Sequence, residues 1–215
     1  MAEPARRVVV VDYGLGNLFS VSRALEACGG APELASDPDA VLAAERIVLP
    51  GVGAFGDGMD GLRRRGLVEP LREFARSGRP LIGLCLGMQL LLTRGEEFGS
   101  HEGLGLVPGT VSRLEPVAED GARLKVPHVG WNALSPNSGG WEGSVLSDLS
   151  PGARVYFVHS YAPVTDDPRH ALAICRYGRS AFAAVVRRDN LSGCQFHPEK
   201  SGPAGLAILS RFLRS

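Results

Sequence analysis

Three short apolar runs each end at a glycine-rich turn, and this punctuation limits the fold more than any other feature of the chain. The valines at 8–11 stop at DYGLGN, ERIVLP (45–50) stops at GVGAFGDG, and PLIGL (80–84) runs into Cys85. Continuous apolar runs of strand length suit strands buried on both faces, as in a parallel sheet covered by helices. Helical stretches lie between them. Asn17 can cap a helix running to about Cys28, which Gly29 stops. GLVEPLREFARSG (66–78) reads as another helix, with Gly78 as its terminator. APELA (31–35) reads as a strand, GVGAFGDG (51–58) as a loop, and GMQLLL (87–92) as the start of the next helix.

Past residue 100 the pattern changes. GLVPGTVSRL (105–114), ARLKVP (122–127), ARVYFVHSYAP (153–163), ALAICRY (171–177), AFAAVVRR (181–188) and LSGCQF (191–196) read as consecutive strands. GPAGLAILSRFLRS (202–215) reads as a closing helix. The expected architecture is α/β: a mostly parallel open sheet with helices on both faces, plus an antiparallel β extension inserted in it or appended to it. Residues 1–215 are expected to form one domain. The few residues before the first strand are expected to be disordered, and residues 138–145 carry no usable motif.

Composition narrows the function. Lysine plus arginine equals aspartate plus glutamate, 23 each, so overall charge gives no reason to expect nucleic acid. No apolar run reaches the roughly 18 residues of a membrane span, and the N-terminal run of valines is too short for a secretory core. A cytoplasmic protein is expected. Its four cysteines, Cys28, Cys85, Cys175 and Cys194, are expected to be reduced. No His/Cys/Asp/Glu group has metal-ligand spacing, so neither metal nor cofactor is expected.

Cys85 lies between Gly83 and Gly87 in GLCLG, after a strand and before a helix. This is the arrangement of a nucleophile elbow with cysteine in place of serine. Such a turn projects the side chain at the carboxyl end of the sheet. A helix N-terminus favours thiolate, and the N–H of Leu86 is placed to hold an oxyanion. The alternative is a small buried core residue, which leaves the flanking glycines without a purpose.

A nucleophilic thiol needs a base. Of His101, His128, His159, His170 and His197, the last has the best context, at the end of a strand in QFHPEK. In an extended segment Glu199 would share its side and orient the imidazole. The alternative is a polar surface turn. His159 reads as a strand residue near the site, or a hydrogen-bonded core histidine.

GLCLGMQ together with FHPE resembles the class I, triad-type glutamine amidotransferases. The further blocks VVDYGLGN, LPGVGAFGDGM, PHVGWN, YFVHSYAP and QFHPEKSG resemble, in order, the glutaminase subunits of imidazole glycerol phosphate synthases. The resemblance implies that Cys85 attacks the glutamine side-chain amide, His197 handles the proton, and Glu199 holds His197. Gly51, Val52 and Leu86 would form the oxyanion hole. Gly53, Gln89, Ser160 and Tyr161 would bind glutamine. Asn17, Trp131, Asn132, Tyr161 and Lys200 would face a (β/α)₈-barrel cyclase in a heterodimer, with Trp131 read as an anchor in a glycine-flanked loop. Ammonia would pass to that cyclase, which forms imidazole glycerol phosphate and aminoimidazole carboxamide ribotide in histidine biosynthesis. Lys125 and His128 receive no separate role.

Three other readings compete. PHVGWN and HPEKS argue against a glutaminase serving another ammonia-channelling synthase. A stand-alone γ-glutamyl hydrolase usually enters a secretory route, for which no signal segment is seen. A non-catalytic module that kept the fold would be expected to lose Cys85, His197 or Glu199.

Overall fold

The computed structural model describes residues 5–215, and the expectation for the extreme N-terminus falls outside them. The chain opens with β1 (Arg6–Val11), α1 (Leu18–Ala27), β2 (Gly30–Ala35), α2 (Pro38–Ala43) and β3 (Ile47–Leu49). Next come α3 (Phe55–Arg64), α4 (Val68–Arg76), β4 (Leu81–Leu84), α5 (Leu86–Leu90), β5 (Leu92–Gly95) and β6 (His101–Glu102). Then follow β7 (Val107–Arg113), β8 (His128–Pro136), β9 (Arg154–His159), β10 (Tyr161–Thr165), β11 (Ala171–Tyr177), β12 (Ser180–Arg188), β13 (Leu191–Cys194) and α6 (Gly202–Leu213).

A nine-stranded sheet runs β2-β1-β3-β4-β13-β12-β11-β8-β9. Pairs from β2 to β13 are parallel, and pairs from β13 to β9 antiparallel. The antiparallel extension is thus appended to the parallel half, with β13 common to both. A separate four-stranded sheet runs β10-β7-β5-β6. The valine run of β1 serves two layers. Val9 and Val11 pack with Met59, Leu62, Leu71 and Phe74 on one face. Val8 and Val10 pack with Val21, Leu25, Ile208 and Phe212 on the other. Burying one such side chain contributes roughly 1.5–3 kcal/mol, so a strand buried on both faces anchors both helical layers. Among the described residues, no helix is long and apolar enough to cross a membrane.

Several sequence expectations need correction. The loop after β3 is shorter than 51–58, because α3 starts at Phe55. Its N-terminus is satisfied by a distant side chain: the Phe55 N–H donates to Glu97 Oε2 at 2.9 Å. The helix after Cys85 ends at Leu90, and Leu92 instead pairs with Val107. ARLKVP is not a strand. Its only ladder contact is the isolated bridge Val117↔Arg123, and Arg123 and Lys125 are exposed. ARVYFVHSYAP divides at Ser160 into β9 and β10, which belong to different sheets. PHVGWN lies at the start of strand β8, so Trp131 is on a strand and not in a loop. The unanticipated α2 is capped by Asp37, whose side chain accepts from the Ala40 N–H at 3.0 Å.

Candidate active site

The elbow joins the fully buried β4 to α5. Cys85 has φ +53° and ψ −110°, a conformation a non-glycine residue rarely adopts. The surrounding ladder holds it there: the Cys85 N–H donates to Cys194 O at 2.7 Å, and the Gln89 N–H to Cys85 O at 3.2 Å. Both flanking glycines are sterically required. A Cβ on Gly87 would stand 1.8 Å from Leu49 O, and one on Gly83 2.6 Å from Met88 Cα. The helix that follows Cys85 has only five residues, so little helix dipole bears on the thiol. Gly87→Ala is expected to pry β3 from the elbow and cost about 4 kcal/mol. For a chain of this size that is a fall in Tm of about 10 °C; a thermal melt within 2 °C of the unaltered protein would refute the packing argument.

His197 follows β13, the parallel neighbour of β4. Its Nδ1 lies 2.8 Å from Glu199 Oε1, with both side chains almost wholly buried. The segment is not extended as the sequence suggested, since Pro198–Lys200 forms a 3₁₀ turn. The turn is tied down from both sides. Ser201 Oγ donates to His197 O at 2.6 Å, and the Tyr156 N–H donates to Ser201 Oγ at 3.0 Å. His197 Nε2 is buried without a geometrically satisfied hydrogen bond. Burial lowers the His197 pKa, but Cys85 and then Glu199 raise it further, to about 9. The arrangement is chemically able to hold an imidazolium beside a thiolate.

Cys85 and His197 open into a cavity of about 440 Å³ that Val52, Gly53, Leu86, Gln89, Ser160 and Tyr161 also line. Gly51 is buried and outside the cavity lining, and a Cβ there would meet Tyr13 Oη at 2.1 Å. The buried Tyr13 hydroxyl donates to Pro50 O at 2.7 Å, so this tyrosine braces the loop from below. The Leu86 N–H is directed at Gly51 O, 3.4 Å away. In this arrangement the Gly51–Val52 peptide presents its carbonyl, not its N–H, to the elbow. Gln89 uses its Nε2 on Tyr161 O at 3.0 Å and Gln195 Oε1 at 2.9 Å. Its Oε1 is the end suited to a cationic group in the cavity.

Sequence reasoning missed two residues here. Glu97 lines the cavity and brings a carboxylate that suits an α-ammonium group; in RGEEFGS it looks like one more loop acid. Gln195, fully buried, donates from Nε2 to Cys85 Sγ at 3.9 Å. Its signal was proximity in the chain, since Gln195 leaves β13 two residues ahead of His197. A larger cleft of about 610 Å³ beside α4 holds Arg72 and Arg188. Both guanidinium groups bond backbone carbonyls, of Leu104 and Leu106, and no cysteine or histidine lines that cleft.

Of the residues assigned to a partner, Tyr161 lines the cavity and the others lie outside its lining. Trp131 is 46% exposed, next to Val129 and Val158 on the β8–β9 surface. Lys200 and Asn17 are exposed, and Asn17 caps α1 through the Ser20 N–H at 3.2 Å. Asn132 is half-buried with its amide engaged at both ends: Nδ2 donates to Arg176 O at 3.0 Å, and Oδ1 meets His128 Nε2 at 3.0 Å. His128 Nδ1 in turn meets His159 Nε2 at 3.1 Å, and His159 Nδ1 meets Tyr161 O at 2.9 Å. His159 is thus a hydrogen-bonded core histidine at the site's edge. Burial pulls its pKa down to about 3.

Comparison with known proteins points to one family. The family model described as glutamine amidotransferase class-I matches residues 9–215. The chain is 46% identical over 209 residues to the Legionella pneumophila (strain Lens) protein named imidazole glycerol phosphate synthase subunit HisH 1, covering 96% of this chain and 98% of that one. It is 47% identical over 207 residues to the subunit HisH of Geobacter sulfurreducens, covering 96% and 97%. Among solved structures, PurLQS from Thermotoga maritima superposes with a TM-score of 0.73 at 21% identity, over 98% of both chains. The glutaminase domain of Trypanosoma brucei CTPS, with bound acivicin, superposes with a TM-score of 0.63 at 19% identity, over 97% and 94%. At these identities the two structures speak for the fold.

Proposed function

The chain belongs to the class I glutamine amidotransferase family, and on that premise we propose that it is the glutaminase subunit of an imidazole glycerol phosphate synthase. The observation that carries the chemistry is the His197–Glu199 contact of 2.8 Å behind a thiol on a strained elbow. In this reading Cys85 gives its proton to His197, and the thiolate attacks the side-chain amide carbon of glutamine. The oxyanion is held by the N–H of Leu86 and by a second N–H from the Gly51–Val52 peptide. His197 returns the proton to the departing nitrogen, which leaves as ammonia, and a glutamyl thioester remains. Water, deprotonated by His197, then releases glutamate. Glu199 keeps Nδ1 protonated and steadies the imidazolium.

The direction of the Leu86 N–H toward Gly51 O supports a gate. Turning the Gly51–Val52 peptide would free one oxyanion donor and bring in another, so the site would be quiet until a partner favours the turn. The partner in this reading is a (β/α)₈-barrel cyclase, bound as a heterodimer in the cytoplasm. The apolar strip of Val129, Trp131 and Val158 supports docking at the cavity mouth, with Lys200, Asn17, Asn132 and Tyr161 around it. Gln89, Glu97, Gly53, Ser160 and Tyr161 would hold the amino-acid end of glutamine. The carriage of ammonia into the cyclase follows from the same reading.

Glutamate release tests the assignment. The purified chain alone is expected to turn over glutamine at least about 100-fold more slowly than it does with the cyclase and its ribotide ligand, as loss of one oxyanion donor implies. Rapid turnover indifferent to the cyclase would keep the thiol chemistry and overturn the assignment to this synthase.

A further inference from the structure

We propose that Gln195 is a further catalytic residue, whose amide N–H holds the Cys85 thiolate from the β13 side; the proposal rests on the reading of Cys85 as nucleophile. Gln195 is the first residue after β13, the parallel neighbour of β4, so it stands beside the elbow. Its backbone is fixed by donation from its N–H to Ala184 O at 2.9 Å. Its side chain is completely buried, and Nε2 reaches Cys85 Sγ at 3.9 Å.

The orientation of this amide follows from its neighbours. Gln89 Nε2 donates both to Tyr161 O and to Gln195 Oε1. A carbonyl can only accept, so the Gln89 end facing Tyr161 O is NH₂. The Gln195 end facing that NH₂ is then oxygen, and the end left toward Cys85 is a donor. A buried amide aimed at a neutral thiol gains little, because sulfur is a weak acceptor. The same amide aimed at a thiolate makes a charge-assisted hydrogen bond. The amide N–H therefore has its stronger partner in the thiolate, which the proposed mechanism forms before attack on the amide and again when sulfur leaves the thioester. His197, two residues further on, lines the same cavity as Cys85, and in the proposed mechanism it exchanges a proton with the sulfur that Gln195 contacts.

The test is the pH dependence of Cys85 alkylation by iodoacetamide in the full chain, from pH 5 to 10. The rate of the Cys85→Ala protein is subtracted to remove the other cysteines. Gln195→Met is expected to raise the midpoint by about one pH unit, which is about tenfold less thiolate on the acidic side. Gln195→Glu keeps the shape but turns a carboxylate toward sulfur, and is expected to raise it further. A thiolate of higher pKa is the better nucleophile, so the alkaline plateau of Gln195→Met should stand about threefold above the parent, and that of Gln195→Glu higher still. Glutamine turnover by the complex should fall about tenfold in kcat, with KM changed less than twofold. A merely structural role would lower both limbs together and leave the midpoint in place, and that result in Gln195→Glu overturns the proposal even if Gln195→Met fails to fold. Glutamine turnover persisting in Cys85→Ala would instead overturn the nucleophile assignment, so the two failures are distinct.

Discussion

Cys85→Ala is expected to bring glutamine-dependent turnover of the complex down by at least about four orders of magnitude, while synthesis from added ammonia continues. The first half of this expectation follows from the surroundings of the other thiols. Cys194 is fully buried, and burial, with Glu199 nearby, drives its pKa far up. Burial likewise pushes Cys175 up to about 12. Burial also raises Cys28, whose Sγ donates to Leu206 O at 3.3 Å on the opposite layer. None of the three can replace a thiolate in the cavity. The second half follows from the backbone. Alanine keeps the Cβ at φ +53°, so the elbow is no more strained than before, and one lost sulfur costs about 1 kcal/mol. The cavity, the loop around Gly51 and the β8–β9 surface therefore persist. The measurement is glutamate release and product formation by the same complex, with glutamine and then with ammonium salt. Retained glutamine turnover, or loss of the ammonia-supported reaction with an intact melting curve, would contradict it.

Features that depend on near neighbours were legible in the sequence. The β1 valines and the PLIGL strand read correctly because burial on both faces leaves no polar alternation to misread. Gly83 and Gly87 announced the elbow because a close approach excludes any Cβ, a requirement the residue type itself records. Cys85, Leu86, Gln89, Ser160, Tyr161, Val52, Gly53 and His197 all reach one cavity. What failed depended on tertiary partners. ARLKVP has strand-like alternation, but no ladder is offered to it apart from Val117↔Arg123. VYFVHSYAP shows no breaker at Ser160, yet two different sheets take its two halves. Trp131 looked like a loop residue because Gly130 precedes it, whereas β9 pairing keeps that segment extended. Glu97 was invisible as a site residue because its link to Phe55 spans 42 positions.

His197→Asn is expected to lower kcat/KM for glutamine by about four orders of magnitude, since a triad base acts with its nucleophile as a unit. Asparagine can still bond Glu199, so the 3₁₀ turn should survive, but it cannot accept the Cys85 proton or deliver one to the departing nitrogen. The pH profile separates this from a packing defect. Burial lowers the His197 pKa, and Cys85 and Glu199 together lift it from 6.5 to about 9. The fold thus favours the imidazolium. Its contribution to stability is complete below about 6.5 and is lost as pH climbs through about 9. Turnover should fall on that same alkaline limb, where the proton for the leaving group disappears. Glu199→Gln removes part of the upward pull, so its alkaline limb should move to lower pH, and its stability deficit should be greater at pH 6 than at pH 10. In His197→Asn the limb should vanish altogether. A variant that kept turnover within tenfold of the parent would require another base, and His159 is the nearest imidazole in the cavity wall. Burial holds that ring near a pKa of about 3, and its Nδ1 is engaged with Tyr161 O. It can neither store a proton near neutrality nor turn toward the thiol, so in the proposed mechanism the whole proton traffic falls on His197.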